Sequence, residues 1–414
     1  MIHATASILA LPAALALTLI ACGDVGQQAI PASTDSDAGF DGAHRANEGA
    51  VNDAARSANE GAVDDGATAD TTSGDAAPVS CNPDSVTGIQ VATLTGNLTP
   101  FDPLGYPAYA IDRCTLAYVA PPAQGQVGGE LRLRHLGTGV ETQLAPADEQ
   151  PRRPSIAGDL VVWEALVGGK SSVRVSNNGH TTTIVGPFDH AGEPRVTSDA
   201  VVFTAWLSPD DAGDTDVYLY TPSTQQGVAI ATGPGQQRFA DVSTSLVAVS
   251  DFSEDPAQAF DPNTFRLADI VVFDRRTLAK TVRHLPGKQA FPMLGVSSRL
   301  GYLDWGLSIP EPKFSAYSIR VGTVAGDPSL DGNVKGSGQV QVNTPYVRPS
   351  TRGDWVEWVD ESGGGGLFRR PLDLSLAMTS TLDGLRLLGP VAGQPLTIVA
   401  ASTLTGFELR AVAR

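Results

Sequence analysis

Pro154-Ser155-Ile156-Ala157-Gly158-Asp159-Leu160-Val161-Val162-Trp163 is the stretch on which the reading of this chain turns. A Pro leads into a short strand, Gly158-Asp159 makes a polar turn, and a β-branched run ends in an aromatic. The phrase returns as Pro349-Ser350-Thr351-Arg352-Gly353-Asp354-Trp355-Val356-Glu357-Trp358. It returns again, with identical spacing, as Pro194-Arg195-Val196-Thr197-Ser198-Asp199-Ala200-Val201-Val202-Phe203. Looser copies begin at Pro107 and end at Tyr118, begin at Ala240 and end at Val249, and begin at Pro292 and end at Tyr302, with a last start at Pro395. The starts lie 47, 40, 46, 52, 57 and 46 residues apart, a mean of 48. Self-similarity at this period makes the chain an array of one supersecondary unit.

After each phrase come a loop of variable length, an alternating strand, a turn and a further strand. Leu131-Arg132-Leu133-Arg134, Asp216-Val217-Tyr218-Leu219-Tyr220 and Asp269-Ile270-Val271-Val272-Phe273-Asp274 are third strands with the two-residue period of a sheet. Asn177-Asn178-Gly179-His180 is a hairpin turn, since Asn and Gly accept positive φ. Four strands per unit of this length is the period of propeller blades. The units are similar to the TolB-like β-propeller repeat, in which a Pro-x-x-Ser-x-(Asp/Gly)-Gly turn precedes an aliphatic-aromatic strand. The resemblance covers residues 88 to 414, and what it implies is an all-β propeller of four-stranded blades; a fold alone does not carry a function. Thr244-Ser245 and Arg113-Cys114 depart from the usual turn.

The last start leaves room for strands over Leu396–Ser402 and Gly406–Ala413 but not for a complete blade. The segment Gly88–Leu94 supplies the missing outer strand, so that the two chain ends close the ring and protect its edges. Seven blades follow, with six and an irregular end piece as the alternative.

Ahead of the ring stands an apolar run from Ile8 to Ile20, long enough for a signal-peptide core and too short to span a bilayer. Leu19-Ile20-Ala21-Cys22 resembles the bacterial lipobox, which implies acylation at Cys22 and cleavage before it. Residues 1 to 7 depart from the usual pattern in having no Lys or Arg; a cleaved secretory signal with an incidental cysteine is the other reading. Residues 1–21 are thus read as a lipoprotein signal peptide, 22–80 as a disordered acidic tether and 81–414 as the propeller. The expected location is the bacterial envelope, at the periplasmic face of the outer membrane or the cell surface. Two or three acyl chains anchor stably, so the membrane is met through lipid alone.

The tether repeats Ala46-Asn47-Glu48-Gly49-Ala50-Val51-Asn52-Asp53 as Ala58-Asn59-Glu60-Gly61-Ala62-Val63-Asp64-Asp65, a duplication typical of linkers. It holds eleven acids and two Arg, a net of −9 within the chain's −17, which leaves −8 for residues 81 to 414. As a flexible coil it would reach roughly 40 to 45 Å. This balance excludes nucleic acid, which needs clustered cations. Cys81 and Cys114 remain as an even pair for an oxidising compartment, and their positions near the seam predict a disulfide; two free thiols are the alternative.

Catalytic motifs are scarce. His135, His180, His190 and His284 fall in different units without metal-ligand spacing, and Gly168-Gly169-Lys170-Ser171 lacks the upstream Gly of a phosphate loop. Asp210, Asp214 and Asp216 form an oxygen-rich turn that suits Ca²⁺, the one candidate metal. The longest loops join second to third strands and therefore share one face of the ring. That face carries Asp210, Asp211, Asp214 and Asp360 among Trp206, Phe260 and Trp305, a surface for recognising a protein or glycan. The expected function is a monomeric module binding a cell-envelope protein or glycan, without catalytic residues or organic cofactor. The alternative is a propeller hydrolase or polysaccharide lyase using carboxylates or Ca²⁺ on the same face.

Overall fold

The computed structural model describes residues 90–95, 101–102, 104–122, 128–207, 213–253, 268–305, 316–336, 340–341, 348–360, 366–381, 387–392, 396–402 and 406–413. The chain divides into Met1–Ser73 and Gly74–Arg414, and every described residue belongs to the second unit. Cys22 and the expected boundaries at residues 21 and 80 lie outside the described residues.

Seven antiparallel sheets follow one another around a ring, here blades 1 to 7. Blade 1 runs Tyr109–Asp112, Thr115–Val119, Leu131–His135 and Glu141–Ala145. Blade 2 runs Arg152–Ala157, Leu160–Val167, Lys170–Asn177 and His180–Thr183, and blade 3 His190–Val196, Val201–Trp206, Asp216–Thr221 and Gln226–Ala231. Blade 4 comprises Gln237–Val242, Leu246–Asp251, Asp269–Asp274 and Lys280–Arg283. Blade 5 comprises Gln289–Leu294, Arg299–Asp304, Ala316–Thr323 and Gly332–Asn333, with Val340–Gln341 also pairing to its third strand. Blade 6 is Ser350–Arg352, Trp355–Asp360, Gly366–Pro371 and Thr379–Thr381. Blade 7 takes Leu387–Ala392, Leu396–Ser402 and Gly406–Ala413 from the C-terminal end and Gln90–Thr95 as its outermost strand.

The expected closure is therefore found: Gln90 pairs with Arg410 and Thr95 with Gly406, and the ring has seven blades rather than six. One start needs correcting. In blade 7 Val391 pairs with Ile398 as Ser155 pairs with Val162 in blade 2, so the seventh phrase begins at Pro390, not Pro395. Its inner strand, Leu387–Ala392, carries Pro390 where Arg152–Ala157 carries Pro154.

The aromatics that end the phrases pack between neighbouring blades. Trp163 and Trp358 are fully buried, and Phe203 and Tyr302 nearly so. Trp163 sits with Ala110, Ala117 and Ile156, between blades 1 and 2, and Phe203 with Val162 and Val175, between blades 2 and 3. Stability is thus spread over blade–blade seams, as expected where each sheet buries a face only against its neighbours.

The first-to-second-strand turn of blade 1, which lacks the usual Asp-Gly, is made with Arg113 at φ 52. The hairpin at Asn178 and Gly179 has φ 49 and 80, as the Asn-Gly sequence required. Cys114, buried in the blade 1 turn, is held in a disulfide. Its partner and Cys81 lie outside the described residues.

Candidate functional site

The residue directly before each phrase does something the phrase itself does not. Tyr106, Arg153, Glu193, Phe239, Phe291 and Arg348 precede the starts of blades 1 to 6. Arg153, Glu193, Phe239 and Phe291 have φ of 53, 57, 55 and 58, each at a register shift between the first two strands of its blade. A bulge of this kind re-aims one side chain, here toward the ring axis. Left-handed backbone costs a non-glycine residue about 1–2 kcal/mol. The contacts that offset this cost run both to the next blade and across the axis. The Tyr106 ring lies 6.3 Å from Phe239, Phe239 lies 4.4 Å from Phe291, and the Arg348 guanidinium is 4.1, 4.7 and 3.9 Å from the rings of Tyr106, Phe239 and Phe291. Together these side chains form a septum across the axis.

One flank of the septum is a closed set of ion pairs. Glu193 accepts from Tyr106 Oη and Thr204 Oγ1, both at 3.2 Å, and pairs with Arg238 and, at 3.8 Å, with Arg153. Arg153 also donates to Asp102 and, at 2.8 Å, to Glu164, which Arg152 meets from its other side. Asp102 in turn accepts the backbone N–H groups of Leu104 and Tyr106 at 2.9 Å, holding the turn that presents Tyr106. Gly192 is required here, because a Cβ would lie 2.5 Å from Glu164 Oε2. Burial opposes the charge of Glu193, yet Arg238 and Arg153 hold its carboxyl down at about 2. Burial and the Glu193 charge push the Tyr106 phenol up to about 12.

The septum floors a funnel of about 540 Å³ to which the first strand of every blade contributes. It opens toward the first-to-second-strand turns, since Arg113, Gly158, Ser198, Thr244 and Gly353 are among its lining. On its wall Asp112 pairs with Arg352 and accepts Gly158 N–H at 2.6 Å, linking blades 1, 2 and 6. Asp241 Oδ2 accepts Leu294 N–H at 2.7 Å and Ser350 Oγ accepts Ala392 N–H at 3.1 Å, two bridges at the same repeat position. At the floor stand Arg195, whose guanidinium lies 5.0 Å from the Tyr106 ring, and Arg348. Among the described residues neither forms an ion pair; Arg348 donates to the Leu104 carbonyl while its Nε is buried without an acceptor.

The residues expected on the long-loop face are not brought together there. Asp210, Asp211 and Phe260 lie outside the described residues. Trp305 is interior, with Phe291 and Tyr317 rings each 6.0 Å away, and Asp360 is interior with Lys335 Nζ at 2.6 Å. Both directly end or follow second strands, whose alternation carries them into the blade seams. Trp206 is half-buried and stacks on His190, with ring centroids 5.5 Å apart. Asp214 is exposed, and burial together with the Asp214 charge raises the Asp216 carboxyl. Among the described residues no three His, Cys, Asp or Glu side chains converge as metal ligands. His284 Nδ1 lies 2.9 Å from Asp269 Oδ1. Sequence reasoning missed the septum and the funnel; the available signal was a charged residue before a repeat Pro, in Arg153-Pro154, Glu193-Pro194 and Arg348-Pro349.

No protein-family model and no curated protein matches the chain. Among solved structures it is similar to the β-propeller domain of the Trilobed protease from Pyrococcus furiosus, at 9% identity and TM-score 0.55, over 78% of this chain and 94% of that one. It is similar to Pyrococcus horikoshii acylaminoacyl peptidase, at 12% identity and TM-score 0.53, over 73% of this chain and 50% of that one, so it spans half of that enzyme. TolB from Acinetobacter baumannii matches at 13% identity and TM-score 0.44, over 66% of this chain and 65% of that one. These likenesses concern architecture: the chain is a seven-bladed β-propeller of four-stranded antiparallel sheets, a fold shared with the propeller domains of peptidases.

Proposed function

We propose that this chain is a bacterial lipoprotein that holds a propeller away from the membrane on an acidic tether, where the ring binds a cell-envelope protein or glycan. The Leu19-Ile20-Ala21-Cys22 lipobox and the tether composition support the anchor. The observation that carries the binding role is the funnel, a cavity of about 540 Å³ built jointly by all seven inner strands and floored by the septum. That volume is in the range of ligand sites, and its walls are preorganised by blade-to-blade hydrogen bonds. Crosslinking and pull-down of the full chain from envelope fractions tests this, with a variant whose funnel is filled by Ser155→Trp. Loss of a partner in the variant is the expected result; an identical partner set places binding elsewhere on the ring. Mass spectrometry of the mature N-terminus should find acylated Cys22.

A hydrolase on the long-loop face is the second reading, and the contact of His284 with Asp269 is the observation that favours it. Activity toward peptide or glycan substrates that is lost in His284→Ala would support that reading.

A further inference from the structure

We infer that the funnel floor is an oxyanion site in which Arg195 and Arg348, flanking the Tyr106 ring, receive a carboxylate or phosphate group of the ligand. The inference rests on the binding role proposed above and names the chemistry of what binds.

The argument is one of uncompensated charge. Five arginines converge on the axis from blades 2, 3, 4 and 6. Arg152, Arg153 and Arg238 are met by Glu164, Asp102 and Glu193. Arg195 and Arg348 are not so met among the described residues, although they stand at the same floor. Placing two cations side by side in a cavity is unfavourable by itself, since each loses hydration and each repels the other. At Arg348 burial lowers the affinity for its proton and Arg195 lowers it further, and Tyr106 and the Asp102 charge offset this only in part. An arriving oxyanion relieves both costs and meets guanidinium donors suited to it.

The other charges of the funnel do not supply that anion. Asp112 is engaged by Arg352 and the Gly158 amide. The Asp241 carboxylate is turned to the Leu294 amide; it feels the charge of Arg195 without forming an ion pair with it. Arg113 adds another cation at the rim. The funnel is thus net positive within a chain of net charge −17, so an anion is drawn specifically there.

A free small anion and an acidic segment of a partner protein share this chemistry, and the test separates them. The full chain is titrated calorimetrically with inorganic phosphate, with succinate, and with the capped peptide Gly-Asp-Gly-Asp-Gly and its Asn counterpart. Arg195→Gln is the informative variant, because Arg348 also holds the septum rings. The expected result is that wild type binds at least one oxyanion probe and not the Asn peptide. Arg195→Gln should weaken binding about tenfold or more, and Asp241→Asn should strengthen it. Stronger binding of the Asp peptide than of succinate and phosphate assigns the site to a partner's acidic segment; the reverse order assigns it to a free anion. Absence of binding by every oxyanion probe, or an unchanged affinity in Arg195→Gln, overturns the inference. If partners are still captured from the envelope in that case, the binding role stands without the oxyanion site. Oxyanion binding with no partner captured would instead overturn the binding of an envelope macromolecule and leave the site.

Discussion

Two sets of arginines meet at the axis of this ring, and they differ in what faces them. Arg153 and Arg238 are buried against Glu164, Asp102 and Glu193, while Arg195 and Arg348 face a cavity without a carboxylate partner among the described residues. The same side chain within one layer of the molecule is structural in the first case and available in the second. What separates them is what stands beside each: blade 3 points the Glu193 carboxylate inward at its bulge and Glu164 faces Arg153 from the second strand of blade 2, whereas blades 4 and 5 place Phe239 and Phe291 at the bulge position. Apolar rings stack on a guanidinium without neutralising it.

The comparison breaks most severely if the shared carboxylate is removed. Glu193→Ala leaves Arg153 and Arg238 short of a partner in a buried site and should cost about 3–5 kcal/mol, read from denaturant unfolding. A Glu193→Ala protein as stable as wild type would mean that the septum is not held by these pairs. Acid provides a milder version of the same experiment. The Glu193 carboxyl is held down at about 2 in the folded ring, so its stabilisation is fully present above the ordinary Glu value and is lost as pH falls toward 2. Thermal unfolding followed from about pH 4.5 downward should lose less stability in Glu193→Gln than in wild type. Gly192→Ala pushes a methyl against Glu164 and should cost about 1–3 kcal/mol. At the small end, Arg195→Gln should change stability by no more than about 0.5 kcal/mol, because it breaks no ion pair. A large loss there would move Arg195 into the structural set.

The repeat was readable in sequence because each part of the phrase answers to backbone geometry. A Pro starts the strand, a polar pair turns it, and the closing aromatic of Pro154–Trp163 or Pro349–Trp358 fills a seam between blades. The closing strand was readable from chain arithmetic, since blade 7 lacked one strand. The site was not. The septum repeats a position and not a residue type, running Tyr106, Arg153, Glu193, Phe239, Phe291, Arg348, so no pattern of chemistry marks it. Its inward aim depends on a bulge that shifts register by a residue, and side-chain alternation alone assigns the neighbouring positions differently. Trp305 and Asp360 show the converse error: a loop-end aromatic and acid read as surface features, and each is absorbed by the interior, Asp360 beside Lys335.

The pairing of Gln90–Thr95 with Gly406–Ala413 also sets an order of events for the chain. The first of the described strands to be synthesised has no sheet to join until the last has been made, so its pairing is the strand contact of longest sequence separation among them and is expected late in folding. Until then blade 7 exposes an open edge, and the ring has one site at which another chain's strand can substitute. A chain shortened before Gly406 would lose the docking strand for residues 90–95 as well as its own C-terminal end, so damage at one terminus releases the other.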